Sequence, residues 1–336
     1  MKTKYSCIIV SVVFILSACE TEIPFNLENY PPKLMLNALL EVERDTNYIS
    51  LGLSGRDYVT FIDDAKIDIY INNELKEEIT EASLIEDIWD YQKINVYPTT
   101  VKFLPGDLVR IDAKTNDGKY HAWAEDVVPE SIGIENIDTA TFIGKIPELD
   151  DREFYSLYLR LTFTDEPAKK NYYRLALAEC TTWYGISESS EMDTVAYKGT
   201  YNLSNQADIV LNEGKHPSNN LKFPVAEVEN SFNVFDDSRL NGPYTMQIGI
   251  SLLSRDVIPG YLKVKQTSKQ LKVRLISITE SEFYYLKALN LYASTDFDFF
   301  MSQSTSLPSN VHGGIGIVGF EAGTTHTIVF PDYYPE

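Results

Sequence analysis

Cys19 is the residue best equipped for covalent chemistry, because it directly follows Leu16-Ser17-Ala18 at the end of a short N-terminal targeting segment. A thiol in that setting is the nucleophile that takes a diacylglycerol, and the small Ser17 and Ala18 leave room for processing enzymes. Lys2 and Lys4 supply a positive start. Cys7 to Val10 and Val12 to Leu16 supply an apolar run too short to cross a bilayer. Charge, apolar run and triplet together predict a signal peptide over residues 1–18 with lipidation at Cys19. Several acyl chains on one cysteine hold a protein at a membrane where a single chain does not.

Other reactive groups lack the company that chemistry needs. Cys7 leaves with the signal and Cys19 is acylated, so Cys180 has no partner for an intramolecular disulfide and reads as a small apolar residue in a strand. His121, His216, His312 and His326 are far apart in the chain, with no HExxH or His-x-His spacing, and predict no metal site. Asp63-Asp64, Asp150-Asp151 and Asp236-Asp237 are adjacent pairs, which on a strand face opposite sides; they read as turn residues. Gly314-x-Gly316-x-x-Gly319 matches the dinucleotide fingerprint, but only Phe320 to Glu336 follow, too little for a helix and a second parallel strand. There is no Gly-x-Ser-x-Gly elbow, Walker loop or Cys-x-x-Cys. We therefore expect no catalytic residue, no cofactor and no metal.

Aromatic rings offer non-covalent chemistry. Trp89, Tyr91 and Tyr97 flank one expected loop, and Trp183 and Tyr184 another. Exposed flat rings suit stacking on a glycan or anchoring a peptide or protein, so Trp89, Tyr91, Trp183 and Tyr184 are the candidate ligand-binding residues. Strands favour such residues for packing as well. Charge narrows the partners: 49 Asp and Glu against 29 Lys and Arg give a net charge of −20, and removal of residues 1–18 takes two lysines away. Such a body repels phosphate backbones and anionic headgroups, which excludes nucleic acid and leaves membrane attachment to the lipid.

The elements that would position these groups are mainly strands. Residues 19–32, with Pro24, Pro31 and Pro32, form an extended tether. From Lys33 apolar and polar residues alternate, as in Ala65, Ile67, Ile69 and Ile71, which defines a half-buried strand. Asn72-Asn73 turns it into Leu75 to Ile79. Asn116 to Lys119 joins Leu108 to Lys114 with Tyr120 to Val128. This spacing predicts an immunoglobulin-like β-sandwich over residues 33–129, with Leu84 to Gln92 as a candidate short helix. Residues 130–336 are expected to form a larger β domain with one amphipathic helix. Tyr155 to Phe163 and Tyr173 to Ala178 alternate and would pair as a hairpin across Asp165 to Asn171. Val195 to Leu203, Ile209 to Leu211, Tyr244 to Leu253, Leu271 to Ile278 and Thr325 to Phe330 are further strands. Thr279-Glu280-Ser281-Glu282 is a capping box, and Phe283, Leu286, Leu289, Ala293, Phe297 and Phe300 form the apolar stripe of a helix. Asp296 and Asp298 oppose the negative helix end and predict a stop near Ser294.

Several runs resemble a family of Bacteroidota lipoproteins known as Domain of unknown function 4249: Cys19 to Ile23, Pro32 to Leu40, Leu104-Pro105-Gly106-Asp107, Phe235-Asp236-Asp237, Asn241-Gly242, Ile278 to Leu286, and Ser309 to Gly316. They follow the family's order over nearly all of the mature chain. Val109 stands where a tyrosine is common, and His312 and Gly313 depart from the family's usual residues. Acidic residues after Cys19 look like the surface-export signals of such lipoproteins. The resemblance implies an outer-membrane, lipid-anchored accessory protein associated with TonB-dependent receptors, and no catalytic residues are established for the family. An adhesin or an uncharacterised hydrolase are the alternatives. In cells fed labelled palmitate, the wild-type chain should carry label in the membrane fraction, and Cys19→Ala should lose both; label retained by the variant would refute lipidation at this residue.

Overall fold

A computed structural model describes residues 31–55, 59–86, 93–146, 152–187, 192–200, 208–212, 230–253, 261–294 and 307–330. The signal peptide, Cys19, most of the tether, Trp89, Tyr91, Phe297 and Phe300 lie outside them. Strict alternation folds the first half into β1 (Leu34–Glu41), β2 (Asn47–Ser54), β3 (Val59–Phe61), β4 (Ala65–Ile71), β5 (Glu74–Ile79), β6 (Ser83–Glu86), β7 (Lys93–Thr99), β8 (Leu108–Thr115) and β9 (His121–Val127). A four-stranded sheet in the order β5-β4-β8-β9 faces β1, β2 and β7. Leu34, Leu36, Leu40, Ile49 and Leu51 meet Ile67, Ile69, Val109 and Ile111 in one core. Each such fully buried aliphatic contributes about 1.5–3 kcal/mol. The turn after β4 is Asn72-Asn73 with φ of 53° and 67°, the left-handed pair that a two-residue hairpin demands and asparagine tolerates.

The second half contains β10 (Asn136–Ile146), β11 (Arg152–Thr164), β12 (Tyr172–Ser187), β13 (Met192–Thr200), β14 (Val234–Asp236), β15 (Pro243–Leu253), β16 (Tyr261–Ile278), helix α1 (Glu280–Ser294) and β17 (Ile315–Phe330). The sheet β10-β11-β15 packs on β12 and β16 through Leu157, Leu159, Leu161, Phe163, Ile248, Leu175, Val273 and Leu275. Helix α1 covers the opposite face of β12 and β16, burying Phe283 and Leu286 against Tyr172, Ile276 and Ile278. The protein is thus mainly β, with two sandwich-like halves and one long helix.

The halves are joined within a single sheet, β13-β12-β16-β17-β1-β2-β7-β6. Strand β17 makes the joint: residues 315–321 run parallel to β1, and residues 321–330 run antiparallel to β16. Glu321 is the residue that belongs to both ladders, opposite Glu41 on one side and Ile278 on the other. Val318 and Phe320 enter the first core, while Ile328 and Phe330 pack against the second. The ladder therefore runs unbroken across the expected division at residues 129 and 130, and the last strand completes a core on each side of it.

Four expectations change. The strands over Tyr155 to Phe163 and Tyr173 to Ala178 are not a hairpin; β11 pairs with β10 and β15, and β12 with β13, β14 and β16. Alternation reveals a buried face but not its neighbour, and the polar link instead crosses the core edge, where buried Asp165 accepts from Tyr173 Oη at 2.5 Å. Residues 209–212 form a turn whose amides at Val210 and Leu211 point to the Asp208 carboxylate. Leu84 lies in strand β6, not in a helix. Thr325 to Phe330 is the end of the sixteen-residue β17, not a separate strand.

Gly316 sits at φ +120°, and a Cβ there would run into the Leu36 carbonyl oxygen of the neighbouring β1. Gly316→Ala should lower unfolding stability by about 2 kcal/mol or more, read as a fall in the urea midpoint. Gly133→Ala, at a position with open space around the added methyl, is the control. Equal effects of the two would show that close β1–β17 pairing is not what Gly316 serves.

Candidate functional site

The outward face of the sheet β5-β4-β8-β9 is where the sequence's scattered imidazoles and one tryptophan come together. Its cross-strand rows are Tyr70–Arg110–Glu125, Asp68–Asp112–Trp123 and a third formed by Lys66, Lys114 and His121. Asp112 takes Arg110 Nη2 at 2.7 Å and faces His121 Nε2 at 2.7 Å. The free edge of β9 is closed by an isolated bridge in which Trp123 and His312 exchange backbone bonds of 3.0 and 2.7 Å. The His312 ring stacks on Trp123 at 4.3 Å and 23°, and the Arg110 guanidinium lies 4.2 Å from the same indole. With β8 on one flank of β9 and His312 on the other, the half-buried indole stands in a cationic and aromatic stack. Side-chain exposures of 39% for Arg110 and 51% for His121 keep this surface open to solvent. Such a surface can bind by stacking and by paired hydrogen bonds. It offers no nucleophile next to a free base, because Asp112 already serves Arg110.

A second polar assembly lies at the joint itself. Thr279 caps α1: its carbonyl accepts from Phe283 N at 3.0 Å and its hydroxyl from Glu282 N at 3.4 Å. The second half of the expected capping box is not made. Glu282 turns instead into the sheet, fully buried, because Gly319 on β17 leaves room there; a Cβ on Gly319 would stand 2.9 Å from Glu282 Cβ. Around it Glu321 takes Arg174 Nη1 at 3.0 Å, and Arg274 spans to Glu41 at 2.5 Å, Glu43 at 3.1 Å and Glu321 at 3.5 Å. Glu43 also accepts from Gly323 N at 3.0 Å. Burial first, and then the Glu321 charge, holds the Glu282 carboxyl well above the usual carboxylate range. Burial likewise raises Asp126, at the end of β9, despite the nearby Thr279 and Ser281 hydroxyls. This assembly joins β1, β12, β16, β17 and α1.

The four candidate aromatic residues divide. Trp89 and Tyr91 lie outside the described residues. Trp183 and Tyr184 do not flank a loop: they are inside β12, opposite Val195 and Thr194 on β13 and Gln266 and Lys265 on β16. The strand continues through them to Ser187, with register shifts after Thr182 and Ile186. Tyr97, expected beside the first loop, is completely buried in the first core. Sequence reasoning passed over Trp123, although the alternation in His121-Ala122-Trp123-Ala124 already put it on the polar side of a strand. Its meeting with His312, far along the chain, had no local signal. Gly314 and Gly316 stand against the Leu34 and Leu36 carbonyls of β1, and Gly319 stands against Glu282 and Thr279 at the start of α1. Among the described residues no three metal-binding side chains cluster as a metal site.

Together, these features define a mainly β protein with two sandwich-like halves. The family model for Domain of unknown function 4249 matches residues 20–327, and the chain belongs to that family. Comparison with curated proteins gives no match.

Removing one partner from a largely enclosed ion network leaves the others uncompensated. Arg274→Ala should therefore cost about 2–4 kcal/mol by urea titration. Lys102→Ala, which breaks a solvent-exposed pair with Asp45, should leave the midpoint where it is. An Arg274 variant as stable as wild type would show that the joint does not rely on this guanidinium.

Proposed function

We propose that this chain is a non-catalytic cell-envelope lipoprotein, fastened by acylated Cys19 to the outer membrane and exposed on the cell surface, where it acts as a ligand-binding or scaffolding subunit beside a TonB-dependent receptor. The observation that carries this reading is the targeting segment that ends in Leu16-Ser17-Ala18-Cys19, followed by the proline-containing tether of residues 19–32. Family membership over residues 20–327 supports it, because the match takes in the tether as well as both sandwiches. The acid excess supports it too: the chain has net charge −20 even with Lys2 and Lys4 counted, so the body gains nothing from an anionic bilayer and must be held by lipid. The contact surface we assign to this role is the stack of Arg110, Trp123 and His312, which offers a rigid ring and a guanidinium to a glycan or peptide.

The deciding experiment is capture of the tagged full-length chain from its native membrane in mild detergent, followed by mass spectrometry. A large barrel receptor should co-purify, and Trp123→Ala with Arg110→Ala should reduce its recovery at least about tenfold while the circular dichroism stays that of wild type, since aromatic and arginine anchors dominate interfaces. Capture without any barrel protein would point to an adhesin. Turnover of a substrate by the purified chain would point to a hydrolase.

A further inference from the structure

Both carboxyl oxygens of Glu282 are buried, and among the described residues no donor reaches either of them. The group that faces them is the Glu321 carboxyl, itself 5% exposed. Every nearby donor is committed elsewhere. Arg174 donates to Glu321, and Arg274 on β16 divides its bonds among Glu41, Glu43 and Glu321. The Thr279 hydroxyl donates to Asp126, and Tyr172 Oη donates to Glu280 on the same helix. The remaining ionisable neighbour is Asp126, another carboxyl, on β9. A carboxylate only accepts, so two ionised groups at this place could not bond and would repel in a region without water. One proton turns the same pair into a charge-assisted O–H···O bond.

We propose that Glu282 and Glu321 share a single proton at neutral pH, and that this proton ties helix α1 to the one residue at which the two sandwich ladders meet. Arg174 and Arg274 neutralise the charge that the pair retains, which accounts for two guanidiniums converging on Glu321 and none on Glu282. The raised affinity of Glu282 for its proton agrees with this arrangement. In linkage terms, the folded chain keeps a proton that the unfolded chain releases above the ordinary glutamate range. The pair's contribution is therefore complete in acid and is lost as pH rises through the folded-state pKa.

The test uses the purified full-length chain at pH 7. Its infrared spectrum should show the carbonyl stretch of a protonated carboxylic acid, shifted by deuterium oxide. Asp126→Asn should keep that band, and Glu282→Gln should abolish it, because the amide supplies the missing donor to Glu321 permanently. The urea midpoint of wild type should fall from pH 5 to pH 9 more steeply than that of Glu282→Gln. Absence of the band in wild type overturns the proposal without recourse to any variant. So does a band that survives in Glu282→Gln or disappears in Asp126→Asn, and so does an equal pH slope in wild type and Glu282→Gln. If Glu282→Gln does not fold, Glu321→Gln takes its place with the same two outcomes.

Discussion

The structure depends on one strand satisfying two neighbours that run in opposite directions. At β17 the ladder changes from parallel, against β1, to antiparallel, against β16, and the change takes place at Glu321. Both neighbours end there: β1 at Glu41, after which Val42 N still donates to the Glu321 carbonyl at 2.9 Å, and β16 at Ile278, after which the chain turns into α1. A strand can be bordered fully on both sides over its whole length, but here each border covers about half. Other elements meet the uncovered halves: Glu282 of α1 lies against Gly319, and the segment before β10 forms an isolated parallel bridge from Ile132 to Gly323 and accepts from and donates to the Thr324 hydroxyl. An apolar residue at the changeover would pack as well, yet it could not fix the register. A carboxylate that must meet Arg174 and Arg274 is satisfied in one alignment alone, and polar groups buried at junctions specify geometry more than they add stability.

A chain that ends by completing its first core pays for this in folding order. The first sandwich presents the open edge of β1 until β17, nearly three hundred residues later, arrives beside it. Such long-range closure is slow, and open edges invite pairing with other chains. The acid excess acts as protection during that interval, since a strongly charged chain repels its own copies. The β1 edge is shielded further by its outward residues: Asn37 ends up accepting from Ile317 N, so its side chain marks where the incoming strand should register.

How far the sequence could be read follows from what each signal measures. Period-two alternation reports burial of one face, and it located β4, β8, β11, β12, β15 and β16 and the left-handed turn at Asn72-Asn73. It is silent on partners, which is why β11 and β12 looked like a hairpin although they belong to facing sheets. The capping pattern located the start of α1, since it rests on local electrostatics, whereas Asp296 and Asp298, which bear on its end, lie outside the described residues. The same pattern misassigned Glu282, because what decides its side chain is Gly319, thirty-seven residues away, and not the helix terminus. Trp123 and His312 illustrate the same limit. Each was visible alone, and only the tertiary bridge between β9 and the approach to β17 makes them one surface.

The distribution of cations connects this frame to the surface. With far fewer basic than acidic residues, each arginine that is drawn inward leaves the outside more anionic. Arg174 and Arg274 are drawn inward at the joint, where Glu41, Glu43 and Glu321 converge on them. Arg110 is the contrary case: it remains on an open face, half committed to Asp112 and half resting on an indole. Stacking an arginine on tryptophan preserves its charge while removing its need for a full shell of acceptors. A guanidinium held in that way keeps its charge on the open face of an otherwise acidic body. The joint and the face are therefore two uses of the same scarce residue type, the first where the two ladders meet in the large sheet and the second on the outward face of the four-stranded sheet.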